Sequence, residues 1–213
     1  VNTNHFRPLS YSRKSNKFVY LFIGRLLYDK GLEEFVEAAK QIRQIGKNAE
    51  CWVIGDLNPG NPSAVPKDIL LRWVESKYIR YFGTTKEIRK FIKQADVVVL
   101  PSYREGIPRS VLEAMAMGKP IITTNVAGCK ETVEDGVNGY LVPPKDNIAL
   151  AEAMTKMYHA SPGDLEKMGK KSRIFALDKF DDKIIASKYL HLLDKLLLNK
   201  PDEQPARSSQ SVF

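Results

Sequence analysis

Two glutamates with seven residues between them, Glu105 and Glu113 in YREGIPRSVLEAMAMG (103–118), are the first residues whose types and spacing could do chemistry. Two cations in GRLLYDKG (24–31), Arg25 and Lys30, are the second such group. The run from Ser110 to Gly118 is apolar on nearly every side, so it predicts a buried helix with Glu113 inside it. A buried carboxylate needs a partner, because an unpaired buried charge is strongly destabilising. One partner is Arg109, four residues earlier and on the same helical face. That pairing suits an exposed helix better than one this apolar. The other is a ligand whose vicinal hydroxyls donate to the carboxylate, as a ribose does in other nucleotide sites.

The residues before that helix fit the second reading. Pro108 suits the first helical position, where a missing N–H costs nothing. Gly106 allows a close backbone approach, and the amides near 106–110 can form an anion cradle. Glu113 lies about five residues into the helix, roughly 7.5 Å along its axis. Its side chain leans back toward the N-terminus, so Glu105 and Glu113 can face one pocket. Arg25 and Lys30 beside a helix start read as a phosphate clamp, with Arg a bidentate fork and Lys a point charge. A plain basic surface turn explains that stretch as well. Neither GxGxxG nor GxxxxGK[ST] occurs, so the usual dinucleotide and P-loop signals are absent.

The elements that must hold these residues alternate along the chain. Apolar runs at 18–24, 51–55, 79–83, 96–101, 119–124 and 138–144 read as strands. Helical periodicity is expected at 31–46, 67–76, 86–95, 110–118, 147–159, 163–177 and 180–198. Gly128 precedes a short helix containing Glu131, and Gly136 and Gly139 bracket a turn into the last strand. Short apolar strands alternating with helices imply βαβ units. The fold class is therefore α/β, a Rossmann-like doubly wound, mainly parallel sheet of about six strands with helices on both faces. Ligands of such sheets bind beyond the carboxyl ends of the strands, where Arg25, Lys30 and Glu105 all fall. Residues 1–17 read as a linker and entry segment, 18–179 as the Rossmann-like domain and 180–198 as a separate C-terminal helix. Residues 199–213 lack an apolar period and read as a disordered tail.

Composition narrows the classes. With 43% hydrophobic and 27% charged residues among 213, the chain suits a globular domain. No apolar run approaches the roughly 18 residues of a membrane span. The opening VNTNHFRP has no secretory signal and no Met, as expected of a piece of something longer. A net charge of +8 points to an anionic partner, although the bases are scattered. Cys51 and Cys129 stand far apart, without a zinc or disulfide pattern, and fit a reducing compartment.

The stretches GRLLYDKG, GDLNPGNPSAVP, REGIPRSVLEAMAMGKPII and AGCKETVEDGVNGYLVPP together resemble the C-terminal domain of family 4 glycosyltransferases, retaining enzymes of GT-B architecture. The likeness runs from Val1 to Leu198, and within the family is nearest to the branch that builds capsular, exopolysaccharide and other lipid-linked surface glycans. It implies one donor-binding half of a GT-B enzyme, inactive alone, which moves a sugar from a nucleotide sugar to a glycan or lipid-linked acceptor with retention. By the resemblance, Arg25 and Lys30 match the pair holding the donor diphosphate. Glu105 matches the acid beside the donor sugar, and Glu113 the acid on the ribose hydroxyls. Gly106, Ile107 and Pro108, with Arg109, match the turn that meets sugar and phosphate. Gly83 and Thr84 lie where the nucleobase edge is read. Many relatives carry Phe at 107 and Gly at 108, so the sugar contact departs from the usual pattern here.

The resemblance implies no cofactor and no metal, DxD being absent, and a uridine diphosphate sugar ahead of a guanosine one. The acceptor would bind through an N-terminal domain, toward which the 180–198 helix would pack. No nucleic-acid partner is expected. The location implied is cytoplasmic, with the inner face of the membrane and peripheral association as a further option for the parent protein. Two other functions fit less of the sequence. A GT-B epimerase or phosphorylase shares the architecture, but a phosphorylase needs a cofactor-bearing lysine. A non-catalytic Rossmann module would explain the charge but not Glu113.

Overall fold

The computed structural model describes residues 1–9, 16–46, 48–57 and 60–198. The tail at 199–213 and part of the entry segment lie outside the described residues. Six strands are present: β1 Phe18–Ile23, β2 Ala49–Ile54, β3 Arg80–Tyr81, β4 Val97–Leu100, β5 Ile121–Thr124 and β6 Gly139–Val142. Every pairing is parallel, in the order β3-β2-β1-β4-β5-β6. The α-helices are α1 Leu32–Ile45, α2 Lys67–Glu75, α3 Ile88–Gln94, α4 Arg109–Ala116, α5 Asn147–His159, α6 Pro162–Lys179 and α7 Asp182–Leu198. Among the described residues there are also single 3-10 turns at Tyr28–Lys30 and Lys130–Thr132.

Parallel strands are buried on both faces, which is why β1 and β4 read as unbroken apolar runs. Successive residues of β1 point to opposite sides, so Tyr20 and Phe22 share one. Phe22 meets Phe35 of α1 with ring centroids 5.6 Å apart, and the Tyr20 hydroxyl donates to the main-chain oxygen of Met154 in α5 at 2.6 Å. Burial drives the Tyr20 hydroxyl pKa far up, so it stays a neutral donor. The β1-α1-β2 and β4-α4-β5 units run in opposite directions across the sheet. Right-handed crossovers therefore put α1 and α4 on opposite faces. There α1 packs with α5, and α4 with α6.

Residues 1–9 are not loose. Thr3 and Phe6 are buried, and Arg173 of α6 donates to the main-chain oxygens of Thr3, Phe6 and Ala116 at 3.0, 2.9 and 2.7 Å. The helix expected at 180–198 is present as α7, with Tyr189, Leu190, Leu192 and Leu193 exposed. No helix among the described residues is long and apolar enough to cross a membrane.

Candidate functional site

Strands β1 and β4 are neighbours in the sheet, yet their following helices leave toward opposite faces. This is the topological switch point, where open α/β sheets place their ligands beyond the carboxyl ends of the strands. The loop after β1 is held rigidly. Leu26 N donates to Asp56 O at 2.8 Å, Val65 N to Leu26 O at 2.9 Å, and Tyr28 N to Ser63 O at 2.8 Å. Gly31 ends the 3-10 turn at φ 72°, and a Cβ there would collide with the carbonyl of Pro101 at the end of β4. Only glycine lets the two loops approach this closely.

That approach brings Lys30 to Glu105. The ammonium lies 2.6 Å from Glu105 Oε1, and each side chain is 14% exposed. The loops are also tied through Asp29, whose carbonyl accepts from Tyr103 N at 2.8 Å and from the Ser102 hydroxyl at 3.0 Å. Thr124, the last residue of β5, donates its hydroxyl to the Ser102 carbonyl. The loop after β5 packs beneath the turn, because a Cβ at Gly128 (φ 84°) would fall on the carbonyl oxygens of Gly106 and Glu105. Arg25 is exposed and makes no ion pair among the described residues.

The turn into α4 differs by one residue from expectation. Pro108 is the cap (φ −70°, ψ 113°) rather than the first helical residue. Its carbonyl accepts from Val111 N at 3.0 Å and Leu112 N at 3.1 Å. The N–H groups of Gly106, Ile107, Arg109 and Ser110 donate to no main-chain carbonyl among the described residues. Free amides at a helix start, with the dipole behind them, favour an anion. Ile107 is 51% exposed, and a cavity of about 590 Å³ opens beside it, lined also by Lys130, Val133, Phe175 and Phe180.

Glu113 is buried, as expected, with its side chain 11% exposed. It also has the partner judged the weaker candidate: Arg109 Nε donates to Glu113 Oε1 at 3.0 Å. That guanidinium is 87% exposed, so water screens it. Burial outweighs it and raises the Glu113 pKa above its ordinary value. The structure thus joins Lys30 with Glu105 and Arg109 with Glu113. Gly83 follows β3 at φ 68°, its carbonyl accepting from Gly55 N at 3.0 Å, and Thr84 beside it is exposed. Sequence reasoning did not single out Asp29, Ser102 or Thr124. Their only signal is small polar residues at a strand end or in the loops that follow the strands.

A family model described as "Glycosyl transferases group 1" matches residues 17–160. The chain belongs to this family. A curated relative is the N,N'-diacetylbacillosaminyl-diphospho-undecaprenol alpha-1,3-N-acetylgalactosaminyltransferase of Campylobacter jejuni, 32% identical over 86% of this chain and 46% of its own length. Another is the capsular polysaccharide biosynthesis glycosyltransferase CapM of Staphylococcus aureus, 30% identical over 87% of this chain and 48% of its own. The chain therefore spans about half the length of these curated relatives. A solved structure, the C-terminal domain of a group 1 glycosyl transferase (LpcC) from Francisella tularensis, superposes with a TM-score of 0.75 at 26% identity. It covers 85% of this chain and 99% of that one. As a group 1 glycosyl transferase domain, the chain has the six-stranded Rossmann-like half expected of GT-B enzymes.

Proposed function

We propose that this domain binds the nucleotide-sugar donor of a retaining glycosyltransferase, whose parent protein transfers the sugar to a lipid-linked or polysaccharide acceptor. The observation that carries this reading is the Lys30–Glu105 pair past the switch-point strands, followed directly by the open amides of 106–110. Arg25 and Lys30 supply fixed positive charge to the diphosphate. The free amides of Gly106, Ile107, Arg109 and Ser110 add partial charges that need no reorganisation as the leaving group develops. Glu105 orients the sugar hydroxyls. Glu113 accepts from the ribose hydroxyls with the oxygen that Arg109 leaves unused. Gly83 and Thr84 border the nucleobase. No metal-binding motif enters this scheme; the cations and amides carry the diphosphate charge.

The lipid-linked acceptor is supported by the activity named for the Campylobacter relative, and the surface-glycan role by that named for the staphylococcal one. In the two-domain architecture implied by the resemblance, the exposed row on α7 would be covered by the other domain. The parent would work in the cytoplasm, at or near the membrane that carries its acceptor.

The test is calorimetric titration of the 213-residue chain with uridine and guanosine diphosphates and their hexose conjugates. One base series should bind, and Glu113→Ala should weaken it by about 1–3 kcal/mol, the effect of losing a charged hydrogen-bond acceptor. Equal binding by wild type and Glu113→Ala would remove the ribose role.

A further inference from the structure

Lys30 has two claimants. Its ammonium is the buried-side cation of the phosphate site, and it is already held by Glu105 at 2.6 Å. A diphosphate arriving at Lys30 brings negative charge against that carboxylate. It must either displace Glu105 or accept the repulsion. The backbone cannot relieve the conflict. Lys30 N is fixed to Leu27 O at 3.1 Å, and Asp29 is pinned by Ser102 and Tyr103. On the other side, the Glu105 and Gly106 carbonyls press on Gly128. Only the two side chains can move.

We infer that the Lys30–Glu105 ion pair is an internal counter-ion that makes the site discriminate a nucleotide sugar from the bare nucleoside diphosphate. The inference rests on the donor-site reading above and adds a selectivity to it. When a nucleotide sugar binds, its phosphate takes Lys30, and the sugar hydroxyls donate to the released Glu105 carboxylate. Both charges end with partners. When a bare diphosphate binds, Glu105 loses its cation and gains nothing but a neighbouring phosphate. A partly buried carboxylate left without a partner is costly, so this complex is weaker. After transfer the same asymmetry acts in reverse. Loss of the sugar returns Glu105 to Lys30 and helps expel the diphosphate product. The exposed Arg25 has no such internal competitor among the described residues, so it contributes to both complexes alike.

The experiment measures dissociation constants of UDP, UDP-glucose, GDP and GDP-mannose on the 213-residue chain, as wild type, Glu105→Gln, Lys30→Ala and the double variant. In the series that binds, wild type should hold the sugar conjugate about tenfold more tightly than the bare diphosphate, the scale of one partly desolvated ion pair. Glu105→Gln, which keeps an acceptor for the sugar but no charge, should tighten the bare diphosphate roughly tenfold and close most of that gap. In the Lys30→Ala background the same substitution should change bare-diphosphate affinity by less than about twofold, because the competition it relieves is gone. Bare-diphosphate binding unmoved by Glu105→Gln overturns the inference and leaves the donor site standing. An equal gain in the Lys30→Ala background also overturns it, since general repulsion would then be the cause. Failure of all four ligands on wild type overturns the donor site and this inference together. A thermal melt of each variant checks folding.

Discussion

Glu113 sits under two opposing influences, burial that favours its neutral form and Arg109 that favours its charged one. Burial is the larger, and its pKa lies above the ordinary 4.5. The consequence for stability has a definite sign. The folded chain holds this proton to higher pH than the unfolded chain does. Stability from Glu113 is therefore full below the unfolded value and is lost as pH rises through the raised folded value. Glu113→Gln abolishes that loss. The melting temperature of the variant relative to wild type should rise as pH climbs from about 4.5 toward neutrality, the two converging at lower pH. A difference that shrinks with rising pH would show that Arg109, not burial, governs the residue. The carboxylate was legible as a buried acid because the run around it is apolar. Its pairing was not, because an i,i+4 neighbour can either reach across or swing into water, and only tertiary packing decides.

At the scale of elements, the loops that follow the strands matter more than the strands. Gly128 and Gly136 have similar backbone angles, φ 84° and 75°. A Cβ on Gly136 meets open space, whereas one on Gly128 lands on the Gly106 and Glu105 carbonyls. Gly136→Ala should cost only the left-handed strain, roughly 1 kcal/mol. Gly128→Ala adds a backbone collision, so urea unfolding should show a loss about 2 kcal/mol larger. It should also weaken nucleotide binding, because the turn carrying Glu105 must shift. Equal losses would mean that the loop after β5 does not brace that turn.

The strands β1, β2, β4 and β5 were legible to within one or two residues at their ends, since each carries a short, largely buried apolar run. The third was expected at 79–83 and pairs only at Arg80–Tyr81, where a sheet-edge strand has a partner on one side alone. Strand order was not legible. It depends on which crossover closes on which face, and the Asp29, Ser102 and Thr124 ties join residues up to 73 positions apart.

Across the whole molecule, one side chain joins three separate stretches. Arg173 of α6 donates through one nitrogen to Thr3 O, Phe6 O and Ala116 O, fastening the entry segment to the end of the helix that carries Glu113. Asp181, just past α6, takes the Thr3 hydroxyl and Lys183 N, and these bonds hold its carboxyl pKa below the usual range. These contacts tie the entry segment, the end of α4 and α6 together. Arg173→Met keeps the aliphatic stem but strands three carbonyls. Loss of a charged donor from partly buried acceptors should lower unfolding free energy by about 2–3 kcal/mol. Amide exchange should quicken at Phe6, whose N–H bonds to Asn2 O at 2.9 Å, while β1 and β2 keep their protection. Arg173→Lys should recover part of the loss, since an ammonium can satisfy some of the three acceptors but lacks the guanidinium's shape. Unchanged exchange at Phe6 in Arg173→Met would mean that Thr3 and Asp181 hold the entry segment without the arginine.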